Sequence, residues 1–221
     1  MLPAIDQPIR EALSAAAIAL TCLAFLPYLR GILRGRVRPH LFSWFIWGLT
    51  TCVVFIAQIA AEGGVGAWPI GVSGLFTLLI AGLAWIRRGD VSIVGADWAF
   101  LLAALSSLPL WYATSDPLWA VAVLTGVDLL GFGPTIRKAY RQPRSESIAF
   151  FVLMAARNGL VVLALERHSV ATVLFPAAIG LACLAVIAIL WVRRAIEAQT
   201  LHSAEYHEAM NRDRRQERSP R

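Results

Sequence analysis

Lysine is almost missing from this chain: Lys138 is the only one in 221 residues, and arginine carries the rest of the positive charge. Charged residues of all kinds make up 15% of the sequence and hydrophobic ones 58%. That balance excludes an ordinary soluble domain, where roughly a quarter of residues are charged, and fits a chain that crosses a bilayer several times. Cysteine is scarce as well. Cys22, Cys52 and Cys183 fall in apolar runs without ligand spacing, which excludes a disulfide framework and leaves them as small core residues. His40, His168, His202 and His207 are scattered over loops and the tail, so no metal site is implied. Catalytic motifs are wanting too: there is no HExxH and no serine elbow, and Asp97 and Asp128 stand in VGAD and TGVD, not the Gly-x-Gly-Asp of an intramembrane protease. The expectation is a protein that is not an enzyme, with no cofactor.

What is present is hydrophobic length. About 20 mainly apolar residues cross the roughly 30 Å hydrocarbon core as a helix, and seven such runs occur at 11–29, 40–61, 67–86, 94–113, 117–136, 146–165 and 169–192. The chain also repeats itself at an offset of 107 residues. Phe25, Pro27, Arg30 and Arg34 recur as Phe132, Pro134, Arg137 and Arg141, Pro69 recurs as Pro176, and the WIRR at 85–88 returns one position out of phase as WVRR at 191–194. Shifting the first three runs by 107 lands on the last three. The expected fold is therefore all-α and integral to the membrane: seven transmembrane helices in a 3+1+3 arrangement of two parallel triple-helix repeats. The divisions are an external amino terminus (1–10), a first repeat (11–86), a linker helix (94–113), a second repeat (117–192) and a charged cytoplasmic tail (193–221). The tail is expected to continue the last helix for a few turns and then lose order. The odd helix count per repeat makes the linker necessary, because without it the second triplet would insert upside down.

Seventeen basic residues lie on one side of that plan, after helices one, three and five and in the tail, against Arg10 and Arg167 on the other. The positive-inside rule then puts the amino terminus outside and the carboxyl terminus in the cytoplasm of a bacterial inner membrane. The net charge of +6 reads as topology, and no nucleic-acid partner is expected. A cleavable leader is not expected either, since Asp6 and Glu11 precede the first run.

With its helix plan and paired prolines, the chain resembles the PQ-loop and SWEET superfamily of small membrane transporters over about residues 11–192. Members carry a proline near the cytoplasmic end of the first helix of each repeat, usually followed by glutamine; here Pro27 and Pro134 hold those places, followed by Tyr28 and Thr135. The entries to the next helices read RPHLFSW and RSESIAF. The resemblance implies alternating access with both prolines as hinges. Their own chemistry admits hinging or helix termination, because proline lacks the N–H that closes a helical hydrogen bond.

Ionisable groups inside a span cost a few kcal/mol each and mark candidate sites. Asp128 and Arg157 are expected about 12 and 16 Å deep at 1.5 Å per residue, close enough to form an ion pair that would fix Asp128 and leave transport facilitative. Asn158 adjoins Arg157, and the 107-residue shift maps these three onto Thr21, Thr50 and Thr51. Trp47 shares a helix face with Trp44, nearer the interface, and could stack on a substrate ring. Gln58 and Asp97 are expected near span ends, where water satisfies them. The leading function is transport of a small polar solute. The alternatives are a vitamin or nucleoside carrier on the same fold, or a receptor that binds cargo without moving it. A retinal receptor is excluded, since Lys138 is placed in a loop and not in the seventh helix. Substrate, direction, coupling ion and oligomeric state are not encoded in any motif.

Overall fold

The computed structural model describes residues 5–35, 39–87 and 95–217, with the side chains at 96, 97, 134, 138, 145 and 200–217 outside the described set. Seven α-helices follow one another: α1 (Gln7–Leu33), α2 (Leu41–Ala60), α3 (Trp68–Ile86), α4 (Gly95–Thr114), α5 (Pro117–Arg141), α6 (Ile148–Ala164) and α7 (Val170–Glu217). Short 3-10 turns at Gly64–Ala67 and Pro143–Ser145 precede α3 and α6. Five helices are long and apolar enough to cross a membrane; the apolar parts of the other two, Trp98–Thr114 and Ile148–Ala164, are shorter. At 1.5 Å per residue, 17 residues rise only about 25 Å, so these two runs sit at the short end of the spanning range.

Several helices overrun their expected limits. α1 passes through Pro27 and continues to Leu33, so this proline does not terminate it. α5 reaches Arg141, which puts Lys138 in a helix where a loop was expected. α7 runs on to Glu217, so most of the tail is helical instead of only its first turns. Its far part is polar, and a helix needs no apolar face to close its own backbone hydrogen bonds. Local signals fix other ends. The side chains of His40 and Ser147, 107 positions apart, cap α2 and α6 by accepting from the amides of Ser43 and Phe150 at 3.3 and 3.4 Å.

The packing follows one order. α3 lies against both α1 and α2, and α7 against both α5 and α6. Across these triplets α1 packs on α6 and α2 on α5, which closes the six helices into a ring α1–α3–α2–α5–α7–α6. α4 packs outside it on α5 and α2. The core is built from small and branched side chains such as Ala17, Val54, Ala57, Ile70, Val121, Leu124, Val161 and Val186, all buried. Small residues bring backbones together: a Cβ added at Gly74 of α3 would lie 2.8 Å from Cys52 Sγ and 3.3 Å from Cys52 N on α2. Without a hydrophobic drive inside lipid, such close approach is what holds membrane helices together.

The outer faces are oily. Leu75, Leu102 and Leu181 are each about two-thirds exposed, a surface that water would not tolerate over a whole bundle. Exposed aromatic residues fringe it, with Trp68, Tyr112 and Trp119 at one end and Trp85, Trp98 and Trp191 at the other. Trp68 and Trp85 stand 17 residues apart on α3, about 26 Å of rise, so the two fringes bracket a hydrocarbon layer as interfacial belts do. The molecule is a largely apolar, multi-pass membrane bundle.

Candidate functional site

Polar side chains buried in an apolar bundle must be accounted for one by one. Thr21, Thr50, Asp128 and Arg157 each occupy the middle of their helices, α1, α2, α5 and α6, and each is buried. They meet in two contacts. Arg157 Nε donates to Thr21 Oγ1 at 3.3 Å across the α1–α6 seam, and Thr50 Oγ1 donates to Asp128 Oδ1 at 3.1 Å across the α2–α5 seam. The 107-residue shift turns Thr21 into Asp128 and Thr50 into Arg157, so the two contacts join corresponding positions. In each, the first triplet supplies a threonine and the second a charged group.

The expected ion pair is not formed. Among the described residues the salt bridges lie at the ends of the bundle, and Asp128 and Arg157 have other partners. The reason is which seam each helix serves: α6 turns its arginine toward α1, and α5 turns its aspartate toward α2. α5 and α6 were expected to pack together because a short loop joins them, whereas in each triplet the third helix is wedged between the first two.

Arg157 is 1% exposed. Besides Thr21 it donates from Nη1 to Asn158 Oδ1 at 2.9 Å and from Nη2 to the carbonyl of Pro69 at 2.6 Å. All three acceptors are neutral. Asn158 is held in turn by donating Nδ2 to the Met154 carbonyl, as Thr51 donates to that of Trp47. Among the described residues Asp128 has one partner, and that bond is shared: the Thr50 hydroxyl also lies 3.0 Å from the Trp47 carbonyl and has a single hydrogen to give. One turn before it, the buried Thr125 hydroxyl has no partner. Trp47 closes this seam, since its indole nitrogen would lie 3.0 Å from a Cβ at Gly131 of α5. Its neighbour Trp44 instead joins Phe25 and Tyr28 in an aromatic cluster within the first triplet. Of the two prolines, Pro27 breaks the hydrogen-bond ladder inside α1; Pro134 falls within α5, its side chain outside the described residues.

Three groups were overlooked in the sequence. Gln58, expected to be wet, is fully buried and donates to the Thr172 carbonyl at 2.7 Å, while its Oε1 has no partner. Its position near the end of α2 hid this, because the α6–α7 turn covers that end. Thr125 could have been found by its i, i+3 spacing from Asp128. The third is a clasp at the end where α2 and α6 finish. Glu166 N donates to the Gly63 carbonyl at 3.1 Å, Val65 N to Glu166 Oε1 at 3.1 Å, and Arg167 pairs with Glu62 at 2.6 Å. Ser14 donates to the Val65 carbonyl at 2.7 Å, and Arg10 to that of Leu165. The Ser14 bond stays within the first triplet; the others join the α2–α3 turn and α1 to the α6–α7 turn, hence one triplet to the other. A cleft of about 390 Å³ beside the clasp, lined among others by Asp116, Arg167 and Ser169, does not reach the mid-helix residues. At the opposite end Arg194 donates to the carbonyls of Pro143 and Glu146, and Arg193 to that of Tyr140, which joins α7 to α5 and to the α5–α6 turn.

No protein family model, curated protein or solved structure matches this chain.

Proposed function

We propose that the chain is a SWEET-like or PQ-loop-like transporter that moves a small polar solute by alternating access between two parallel triplets. In this reading all seven helices span, in the 3+1+3 plan, with the clasped end outside and the carboxyl terminus in the cytoplasm. The observation that carries it is where the two buried charges lie: one on each seam between triplets, at mid-helix, each bonded to a threonine at the position corresponding to the other charge. Polar glue for stability could sit on any helix contact, whereas a carrier made of two copies binds where the copies meet. Thr21, Arg157 and Asn158 would line one wall, and Thr50, Thr51, Asp128 and Trp47 the other. Pro27 and Pro134 would let the inner halves of α1 and α5 swing. The clasp supports the same reading, since it ties the triplets across the end where α2 and α6 finish, as a gate at that end would. The earlier ground for facilitative transport is gone, because Arg157 does not hold Asp128.

The test is uptake of labelled sugars, amino acids, nucleosides and vitamins into proteoliposomes holding the full chain. Saturable uptake of one class is expected, lost in Asp128→Asn paired with Thr50→Val. A solute that binds the purified protein yet never crosses would make it a receptor and sink the transport reading.

A further inference from the structure

Arg157 is a buried cation surrounded by neutral acceptors. A guanidinium offers five N–H donors, and three bonds, to Thr21, Asn158 and Pro69, leave one N–H on each terminal nitrogen. No carboxylate among the described side chains lies within salt-bridge distance of it. Asp128 is committed to the other seam, and the acidic residues of the clasp are at the bundle's end. A lone charge at this depth is costly, and a bundle in search of stability alone would do better with an apolar residue of similar volume. The three bonds do, however, fix the plane of the guanidinium. Fixed orientation with two spare donors is what bidentate capture of a planar anion requires.

We propose that Arg157 is the anchor for a carboxylate on the solute, so that the carried solute is a carboxylic acid in its ionised form. This rests on the transport reading for the passage of the solute, but not for its binding. Thr21, whose own hydroxyl hydrogen goes to the Ala17 carbonyl at 2.9 Å, positions the arginine, and Asn158, with a second Nδ2 hydrogen to give, meets a remaining lone pair of the anion when the α1–α6 seam opens. The anion then supplies the charge that the protein leaves out, and the loaded seam becomes the neutral, closed state. Phosphate is disfavoured, because a doubly charged anion has only this one fixed arginine to neutralise it.

The experiment compares carboxylates with their primary amides, which keep the shape and remove the charge. The purified full chain in detergent is melted with formate, lactate, succinate, alanine and nicotinate, each beside its amide, with chloride at equal ionic strength as the reference and inorganic phosphate as a further arm. A ligand that binds the folded state raises the melting temperature. At least one carboxylate should stabilise the wild type where its amide does not, with at least tenfold weaker apparent affinity in Arg157→Lys and none in Arg157→Gln. Arg157→Lys keeps the charge and so gives a reading should the glutamine variant fail to fold. Stabilisation by amides or phosphate as strong as by carboxylates, by no carboxylate at all, or by carboxylates undiminished in Arg157→Lys would each overturn the proposal. Binding that follows this pattern without uptake in proteoliposomes would leave the carboxylate site standing and remove the transport reading. Uptake of neutral solutes alone would do the reverse.

Discussion

At the scale of residues, the unit of the site is a hydroxyl facing a charge. Thr50 with Asp128 and Thr21 with Arg157 are coupled by direct bonds; Asp128 and Arg157 share no partner. A double-mutant cycle in SDS-detergent unfolding should therefore give about 1 kcal/mol of coupling for Thr50→Val with Asp128→Asn. Asp128→Asn with Arg157→Gln should be additive within about 0.5 kcal/mol. A large coupling between the two charged residues would mean that they do pair in the membrane. Asp128 and Arg157 were legible as site candidates from the sequence because charge in an apolar run is rare. Their partners were not, since facing depends on which helices are neighbours.

At the scale of elements, proline and glycine set what each helix can do. Pro27 leaves the Leu23 carbonyl without its helical donor, a weak point about two turns before the end of an otherwise continuous α1. Pro27→Ala should restore that bond, so the variant stays folded, gains thermal stability and transports several-fold more slowly. Unchanged uptake would remove the hinge role. Gly74 and Gly66 permit close approach instead: a Cβ at Gly66 would lie 2.6 Å from Leu165 Cα, and backbone cannot step aside as a side chain can. Gly74→Leu should cost about 1–3 kcal/mol by overpacking the α2–α3 contact, while Gly82→Ala, with nothing within 4 Å, serves as the neutral control. Helix propensity alone would favour both substitutions, so a Gly74→Leu variant as stable as Gly82→Ala would show that close packing does not govern this position.

At the scale of the whole molecule, the two triplets meet along two seams and are tied at one end. In a background with Cys22, Cys52 and Cys183 replaced by alanine, Glu62→Cys and Arg167→Cys should be joined by a short bifunctional thiol reagent, since the native side chains touch at 2.6 Å. The cross-link should arrest uptake reversibly, and reduction of a cleavable linker should restore it. Continued uptake while linked would mean that the clasp is not a gate. Orientation is tested separately. Alkaline phosphatase fused after Arg221 should be inactive and the same enzyme inserted after Glu62 active, following the arginine distribution.

The sequence by itself determined the solvent, the helices and the depth of the charges. Those follow from composition and from distance along a helix, which are local quantities. The polar entries RPHLFSW and RSESIAF stand where α2 and α6 begin. What only the tertiary structure decided is who faces whom. The ring order puts α3 between α1 and α2, and α7 between α5 and α6, so the residues of α5 and α6 serve different seams, as do those of α1 and α2. Gln58 became a buried group because the α6–α7 turn folds over it, and Arg10 and Arg167 became parts of a clasp in place of stray outer charges. These outcomes depend on contacts far apart in the chain, 78 residues for Thr50 with Asp128 and 155 for Arg10 with Leu165, which no local pattern of hydrophobicity or charge specifies.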